Sequence, residues 1–279
     1  KLIKKAGGAE QYHANTKYTE AVAVAAEACA DDTKGQTCYI CTQALHWKTK
    51  EGLVRGCSCR GTAGFAHVSC LAEQAKILLA EAEENNLGVG VLDVRWKRWH
   101  TCSLCKQQYH GVVACALGWA AWKTYVGRRP ETDRARMSAM RKLGNGLSMA
   151  ERHADALPVK EAELSVARRF GADEWCLLAV QTNLANTYGA LGDIEKALSM
   201  ERDVYFGYLK LGEQHKDTLG AANNYAVSLV NVERFEEAKS LLRKTMPVAR
   251  RVLGESHDLT LTLKKVYADS LYEDDSATL

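Results

Sequence analysis

Apolar residues recur along 68–84 at Leu71, Ala75, Leu78, Leu79 and Ala82. This spacing is close to 3.6 residues and predicts an amphipathic helix that opens just after His67. Asn85-Asn86-Leu87-Gly88 ends the pattern, with Gly88 as the expected C-cap. Residues 89–96 read as strand-like. An apolar run over 112–126 predicts a helix that packs on its neighbours or bridges to the next part of the chain, and Gly127-Arg128-Arg129-Pro130 breaks it. Upstream, the Ala-rich stretch 19–30 predicts a short helix, and Asp31-Asp32-Thr33-Lys34-Gly35 a flexible continuation. Between 37 and 70 the chain is turn-rich and interrupted by Gly52, Gly56, Gly61 and Gly64. Such a segment has little to build a core from.

From 133 onward the pattern repeats. Asn183-Leu-Ala-Asn-Thr-Tyr188 matches Asn224-Tyr-Ala-Val-Ser-Leu229, and Ile194-Glu-Lys-Ala197 matches Phe235-Glu-Glu-Ala238. Leu211-Gly-Glu-Gln-His215 matches Leu253-Gly-Glu-Ser-His257, with Phe170-Gly171 as a weaker first copy. The period is 41–42 residues with two helices per unit, which indicates an α-solenoid. Small residues at Ala185, Ala197, Ala226 and Ala238 let paired helices approach closely. Residues 257–271 read as a closing cap helix. The phrases resemble tetratricopeptide repeats of the kinesin-light-chain type. No long heptad segment is present to pair with a motor chain, so the resemblance implies a peptide-binding scaffold and nothing about motors. It makes Asn183, Asn186, Lys216, Asn223 and Asn224 candidate contacts for a peptide backbone or carboxylate, with helix capping as the alternative for the asparagines.

Composition narrows the class. The 279 residues are 47% hydrophobic and 25% charged, as in a globular protein of more than one domain. A net charge of +3 argues for no nucleic-acid partner. No apolar run reaches the roughly 18 residues of a membrane span. Ten cysteines could suggest disulfides, but their pairing, with a histidine in the series, fits metal in a reducing compartment, cytoplasmic or nuclear.

The series is Cys38-x2-Cys41, Cys57-x-Cys59, His67-x2-Cys70 and Cys102-x2-Cys105. Zinc takes four tetrahedral thiolate or imidazole ligands, and a close pair lets one turn offer two of them. Four pairs therefore suggest two closed sites, leaving Cys29, Cys115 and Cys176 as idle or buried thiols. His100 is a competing ligand candidate; His46 and His110 are weaker ones, read as surface residues. Seven residues separate Cys59 from His67, and the second pair is C-x-C. With these spacings the segment resembles the RING-CH (RING-variant) zinc finger of ubiquitin ligases. The PHD finger, a chromatin reader, shares the ligand order but has a shorter gap before its histidine; Trp47, Trp96 and Trp99 could supply it with aromatics.

The resemblance implies a cross-brace with two structural zinc ions. One is held by Cys38, Cys41, His67 and Cys70, the other by Cys57, Cys59, Cys102 and Cys105. It implies a ubiquitin-conjugating enzyme (E2) and ubiquitin as partners, with no catalytic residue of the chain's own. Ile40, Trp96, Trp99 and Lys106 then become candidate contacts to them. The alternatives are a core residue beside the zinc for Ile40, core packing for the tryptophans and a solvated surface charge for Lys106. The chain departs from the family at three places. Thirty-one residues separate Cys70 from Cys102, Gln74 stands where a tryptophan is usual, and Ser103-Leu104 replace the proline of the last pair.

The expected fold is mostly α: a small two-zinc RING-like domain followed by an α-solenoid of tetratricopeptide-like helix pairs. The expected parts are an N-terminal segment 1–36, a zinc finger 37–110, a linking helix 111–132, repeats 133–272 and an acidic tail 273–279. The expected function is an E3 ubiquitin ligase that recruits a charged E2 through the zinc domain and a protein substrate through the repeats. The alternative is a non-catalytic zinc-containing adaptor.

Overall fold

Helices dominate the computed structural model, which describes residues 7–131 and 133–276, with side chains up to Tyr272 at the C-terminal end. The basic start at Lys1, Lys4 and Lys5 and residues 277–279 of the acidic tail 273–279 lie outside what is described. Two compact units are present, Lys1–Glu163 and Leu164–Leu279.

The first unit begins with α1 (Ala9–Ala28), longer at its N-terminal end than the short helix expected over 19–30. Irregular chain follows through the cysteine-rich segment, then α2 (Val68–Glu84) and α3 (Val89–Trp96). A short 3-10 turn, Lys97–Trp99, precedes α4 (Gly111–Tyr125) and α5 (Arg134–Met149). The helix over 68–84 is where its periodicity puts it. Residues 89–96 are helical, not strand-like, and Gly88 is the N-cap of α3 while Asn85 caps α2. β-branched valines misled the reading; the tertiary context of Trp96 overrides their weak strand preference.

The α4 helix is apolar on every side, and almost all of it is buried. It packs on α1, α2 and α5. A Cβ on Gly146 would lie 2.5 Å from the Ala114 carbonyl oxygen, and one on Gly118 would lie 2.9 Å from that of Lys142. The α4 and α5 backbones therefore touch, and only glycine fits at those two crossings. Arg136, buried on α5, donates to Glu10 of α1 at 2.7 Å and to the Val126 carbonyl. Helix α1 is thus part of this core: Ala14, Tyr18, Ala21, Val22 and Ala25 are buried with Phe65, Val68 and Leu71 of the zinc segment.

The division between the units falls within α6 (His153–Arg169). The second unit continues with α7 (Glu174–Ala190), α8 (Ile194–Leu211), α9 (Lys216–Asn231), α10 (Phe235–Leu253) and α11 (Asp258–Ser276). From α7 on, each helix packs on the next in sequence, and α9 also on α11. The starts of α7, α9 and α11 recur every 42 residues, as the repeat requires. The matching alanines are at the crossings: Ala185, Ala226 and Ala238 are fully buried and Ala197 is 1% exposed. Asp173 and Asp193 cap α7 and α8 with their side chains, and Gly254, at φ +96°, turns the chain after α10.

One buried acid disturbs this unit. Glu201 on α8 is 6% exposed, its Oε2 has no partner, and burial raises its pKa to about 7 despite a hydrogen bond from Ser228. A carboxyl raised above its unfolded value adds stability that is complete below that value and lost as pH rises through the folded one. Between pH 5 and 8 the repeat unit should lose thermal stability. Glu201→Gln should flatten that slope and melt higher than the native chain at pH 8. Parallel melting curves of the two proteins across this range would refute the assignment.

Candidate metal centre

The first ligand pair lies in a tight turn. Cys38 N–H donates to the Gln43 carbonyl at 3.0 Å, Thr42 N–H donates to the Cys38 carbonyl at 2.8 Å, and Thr42 sits at φ +63°. The last pair repeats this turn: Cys102 N–H to Gln107 at 2.9 Å, Lys106 N–H to Cys102 at 3.1 Å, Lys106 at φ +61°. The C-x2-C spacing thus makes one local structure twice, with both sulfurs on one side. Gly64, at φ +88°, lies against the second pair; a Cβ there would fall 2.6 Å from that of Cys59. His67 is the N-cap of α2, which carries Cys70 on its first turn, and a single bridge between Val54 and Ala66 holds the approach.

The fold brings the eight side chains together as two tetrads. Cys38, Cys41, His67 and Cys70 form one, and Cys57, Cys59, Cys102 and Cys105 the other; within each, all donor atoms lie within 4.8 Å of one another. Zinc–sulfur bonds of about 2.3 Å and zinc–nitrogen bonds of about 2.0–2.1 Å imply tetrahedral edges of about 3.8 Å between sulfurs and about 3.5 Å from sulfur to nitrogen. The Cys59–Cys102 sulfurs are 3.8 Å apart, and His67 Nδ1 is 3.3 Å from the Cys41 sulfur and 3.6 Å from that of Cys70. The donor sets therefore fit two structural zinc ions. His67 is fully buried, and its Nε2–H donates to the Ala44 carbonyl at 3.3 Å. That bond leaves the Nδ1 lone pair for the metal.

Burial pushes the Cys57 and Cys70 thiols well above the ordinary range, whereas the Gln107 N–H holds Cys105 down at about 7. Loading zinc must displace protons from the buried pair members. With four protein ligands each, the two sites leave no open position for a metal-bound water.

His100, His46 and His110 belong to neither tetrad. His100 is half-buried beside Lys142, with its Nδ1 covered, and burial lowers its pKa to about 4. His46 is buried, contrary to its reading as a surface residue; its Nδ1 accepts from Thr49 N–H at 3.1 Å and closes the turn beside Trp47. His110 is the exposed N-cap of α4.

The other candidates scatter. Ile40, half-buried, lines a groove of about 410 Å3 with Trp47, Gln74, Ile77 and Leu78. Trp96 and Trp99 are buried: at 7% and 1% exposed they pack against Tyr125, one tilted and one edge-on, centroids 5.2 and 5.8 Å away. Of the two readings given for them, partner contact and core packing, their burial fits core packing: the Cys70–Cys102 insertion folds as the rest of α2, α3 and the 3-10 turn, and turns both rings inward. On the groove it is Trp47, at 68%, that is exposed, with Ile77 at 49% on the rim. Ile77 lies off the buried stripe of α2, and an apolar residue off that stripe was the available signal. Lys106 is exposed, its ammonium 2.5 Å from the Ser103 carbonyl of its own turn.

In the repeats, Asn183 and Asn186 lie within α7 and Asn223 and Asn224 within α9, while Lys216 opens α9. The caps of these helices are Asp173 and His215. Capping therefore does not account for the asparagines, and Asn223 Oδ1 is buried without a partner.

Comparison with known proteins agrees with this geometry. Residues 38–105, first ligand to last, match the RING-variant domain, and residues 218–258 match a tetratricopeptide repeat. A search of curated proteins finds no match. Among solved structures the chain is similar to the nearly identical TPR-like repeats of a kinesin-light-chain-type protein from Podosopora anserina. Two structures of that protein, the first of them a point variant, are 17% and 16% identical, each with a TM-score of 0.50, covering 75% of this chain and 89% of the other. It is also similar to BtubC (BKLC) from P. vanneervenii, at 15% identity and a TM-score of 0.54, over 73% of this chain and 82% of that one. At such identities the likeness is one of fold. Residues 38–105 are thus a RING-variant zinc domain, carried on one chain with tetratricopeptide-like helix pairs.

Proposed function

We propose that the chain is a RING-CH-type E3 ubiquitin ligase. A ubiquitin-charged E2 docks on the zinc domain, and a protein substrate docks on the helix pairs through Asn183, Asn186, Asn223, Asn224 and Lys216. The supporting observation is the groove beside the first zinc tetrad, where Ile40, Trp47 and Ile77 offer an apolar surface that the rest of the unit leaves uncovered. The domain contributes no nucleophile and no open metal site. Its chemistry is positioning: holding the charged E2 so that the thioester meets an acceptor lysine. The zinc ions supply only the rigidity of the two turns. Lys106, at the second turn, is then placed to meet ubiquitin. The zinc-binding thiols suit a reducing compartment, the cytoplasm or nucleus, and among the described residues no helix is long and apolar enough to cross a membrane.

A non-catalytic adaptor is the second reading. It is favoured by Gln74 on the groove wall, where the resemblance expects a tryptophan, and by Ser103-Leu104 in the last pair. Lysine discharge from a panel of ubiquitin-charged E2 enzymes separates the two. The native chain should accelerate discharge by at least one of them. Ile40→Ala, with both zincs retained, should lose roughly thirtyfold, the effect of an interface hot spot of about 2 kcal/mol. No acceleration by any E2 would leave the adaptor.

A further inference from the structure

A second cleft in the Lys1–Glu163 unit, of about 780 Å3, shares His46, Trp47, Ser69 and Glu73 with the Ile40 groove but has a different character. Its walls come from α1, the turn after His46, α2 and α4, and its charged residues are Lys48, Lys76, Lys123 and Glu73. Glu73 is the one carboxylate among them, and it lies 3.4 Å from Lys76. Glu51 behind the cleft is engaged as well, accepting from Ser69 N–H at 2.7 Å and Ser69 Oγ at 2.9 Å.

Lys123 on α4 is left over. It is half-buried, its ammonium lies 4.0 Å over the Tyr18 ring, and it makes no ion pair among the described residues. Burial lowers its pKa, and the charge of Glu51 behind the cleft offsets this only in part. Lys48 on the rim is exposed. Three cations against the carboxylates of Glu73 and Glu51, both already engaged, leave the cleft net positive, and it attracts negative charge.

We propose that this cleft binds an acidic peptide segment of a partner protein, with carboxylates on Lys123 and Lys48 and an apolar side chain against Trp47. The arrangement favours a peptide over a compact anion. The lysines come from three separate elements along an open trough, so they match spaced charges and not one converging group. The trough also runs past Trp47 into an apolar groove, which an extended segment can reach and a small anion cannot use. The site does not depend on the E2 reading.

Fluorescence anisotropy with a labelled peptide alternating Glu or Asp with Leu tests it on the full, zinc-loaded chain. The acidic peptide should bind, and binding should weaken as salt is raised. The counterpart with Gln and Asn should not bind. Lys123→Met and Lys48→Gln should each weaken binding tenfold or more, with two zincs retained, while Lys210→Gln in the other unit has no effect. Lys48 is exposed, so its variant reads the site even where Lys123→Met fails to fold. Equal binding of both peptides, or an unchanged Lys48→Gln, overturns the proposal. Inorganic phosphate binding in a Lys123-dependent way while the peptide does not overturns it too, leaving a small-anion site.

Discussion

Stripping zinc from the full chain, or making Cys57→Ser, should unfold residues 38–105 and leave the Leu164–Leu279 unit helical. Structural zinc contributes roughly 10–16 kcal/mol in small metal-dependent folds, whereas a whole domain is stable by about 5–15 kcal/mol. Little else holds residues 38–66: one bridge, two tight turns, and a few buried apolar side chains, Leu53, Val54, Phe65 and Ala66, beside the ligands. Burial also favours the protonated Cys57 and Cys70 thiols, so the bare sites lose their ligand character. Elemental analysis should give two zincs in the native chain. Far-UV circular dichroism after chelation should keep the signal of the repeat helices. Hydrogen exchange should show a wider effect in the first unit: α1 shares a core with Phe65 and Val68, so its amides should lose protection although it carries no ligand. Loss of all helicity would mean that the two units do not fold separately.

Trp99→Ala and Trp47→Ala should fail in opposite ways. Trp99 is 1% exposed and packed between Trp96 and Tyr125, so truncation leaves a cavity and should cost about 3–5 kcal/mol, seen as a fall in melting temperature. Trp47 is 68% exposed, so its removal should change stability by no more than about 0.5 kcal/mol. On the ligase reading, Trp47→Ala should nonetheless abolish most of the E2 acceleration. Trp99→Ala, measured below its melting temperature with zinc retained, should keep it. A Trp99→Ala chain that is fully stable but unable to accelerate discharge would restore the inner tryptophans as partner contacts.

The amino-acid sequence alone determined the zinc chemistry and the repeats. Ligand pairs are local: Cys38 and Cys41, like Cys102 and Cys105, meet through one turn whose hydrogen bonds need no distant partner. A 41–42-residue period is local too, because each helix pair recurs with its own small residues and caps. Sorting the eight ligands into two tetrads took the family resemblance, and the geometry then agreed with it. What faces water was decided elsewhere. Trp96 and Trp99 sit near the last ligand pair and looked available, but Tyr125, from beyond that pair, covers them. Trp47, an aromatic candidate only for the PHD alternative, stands exposed on the wall of both clefts. The role of α1 was equally hidden, since nothing in its Ala-rich stretch says that it packs on α4 and joins the zinc segment's core. Burial is a property of elements far apart in the chain, and only the packing of α1, α2 and α4 set which apolar residues were left for a partner.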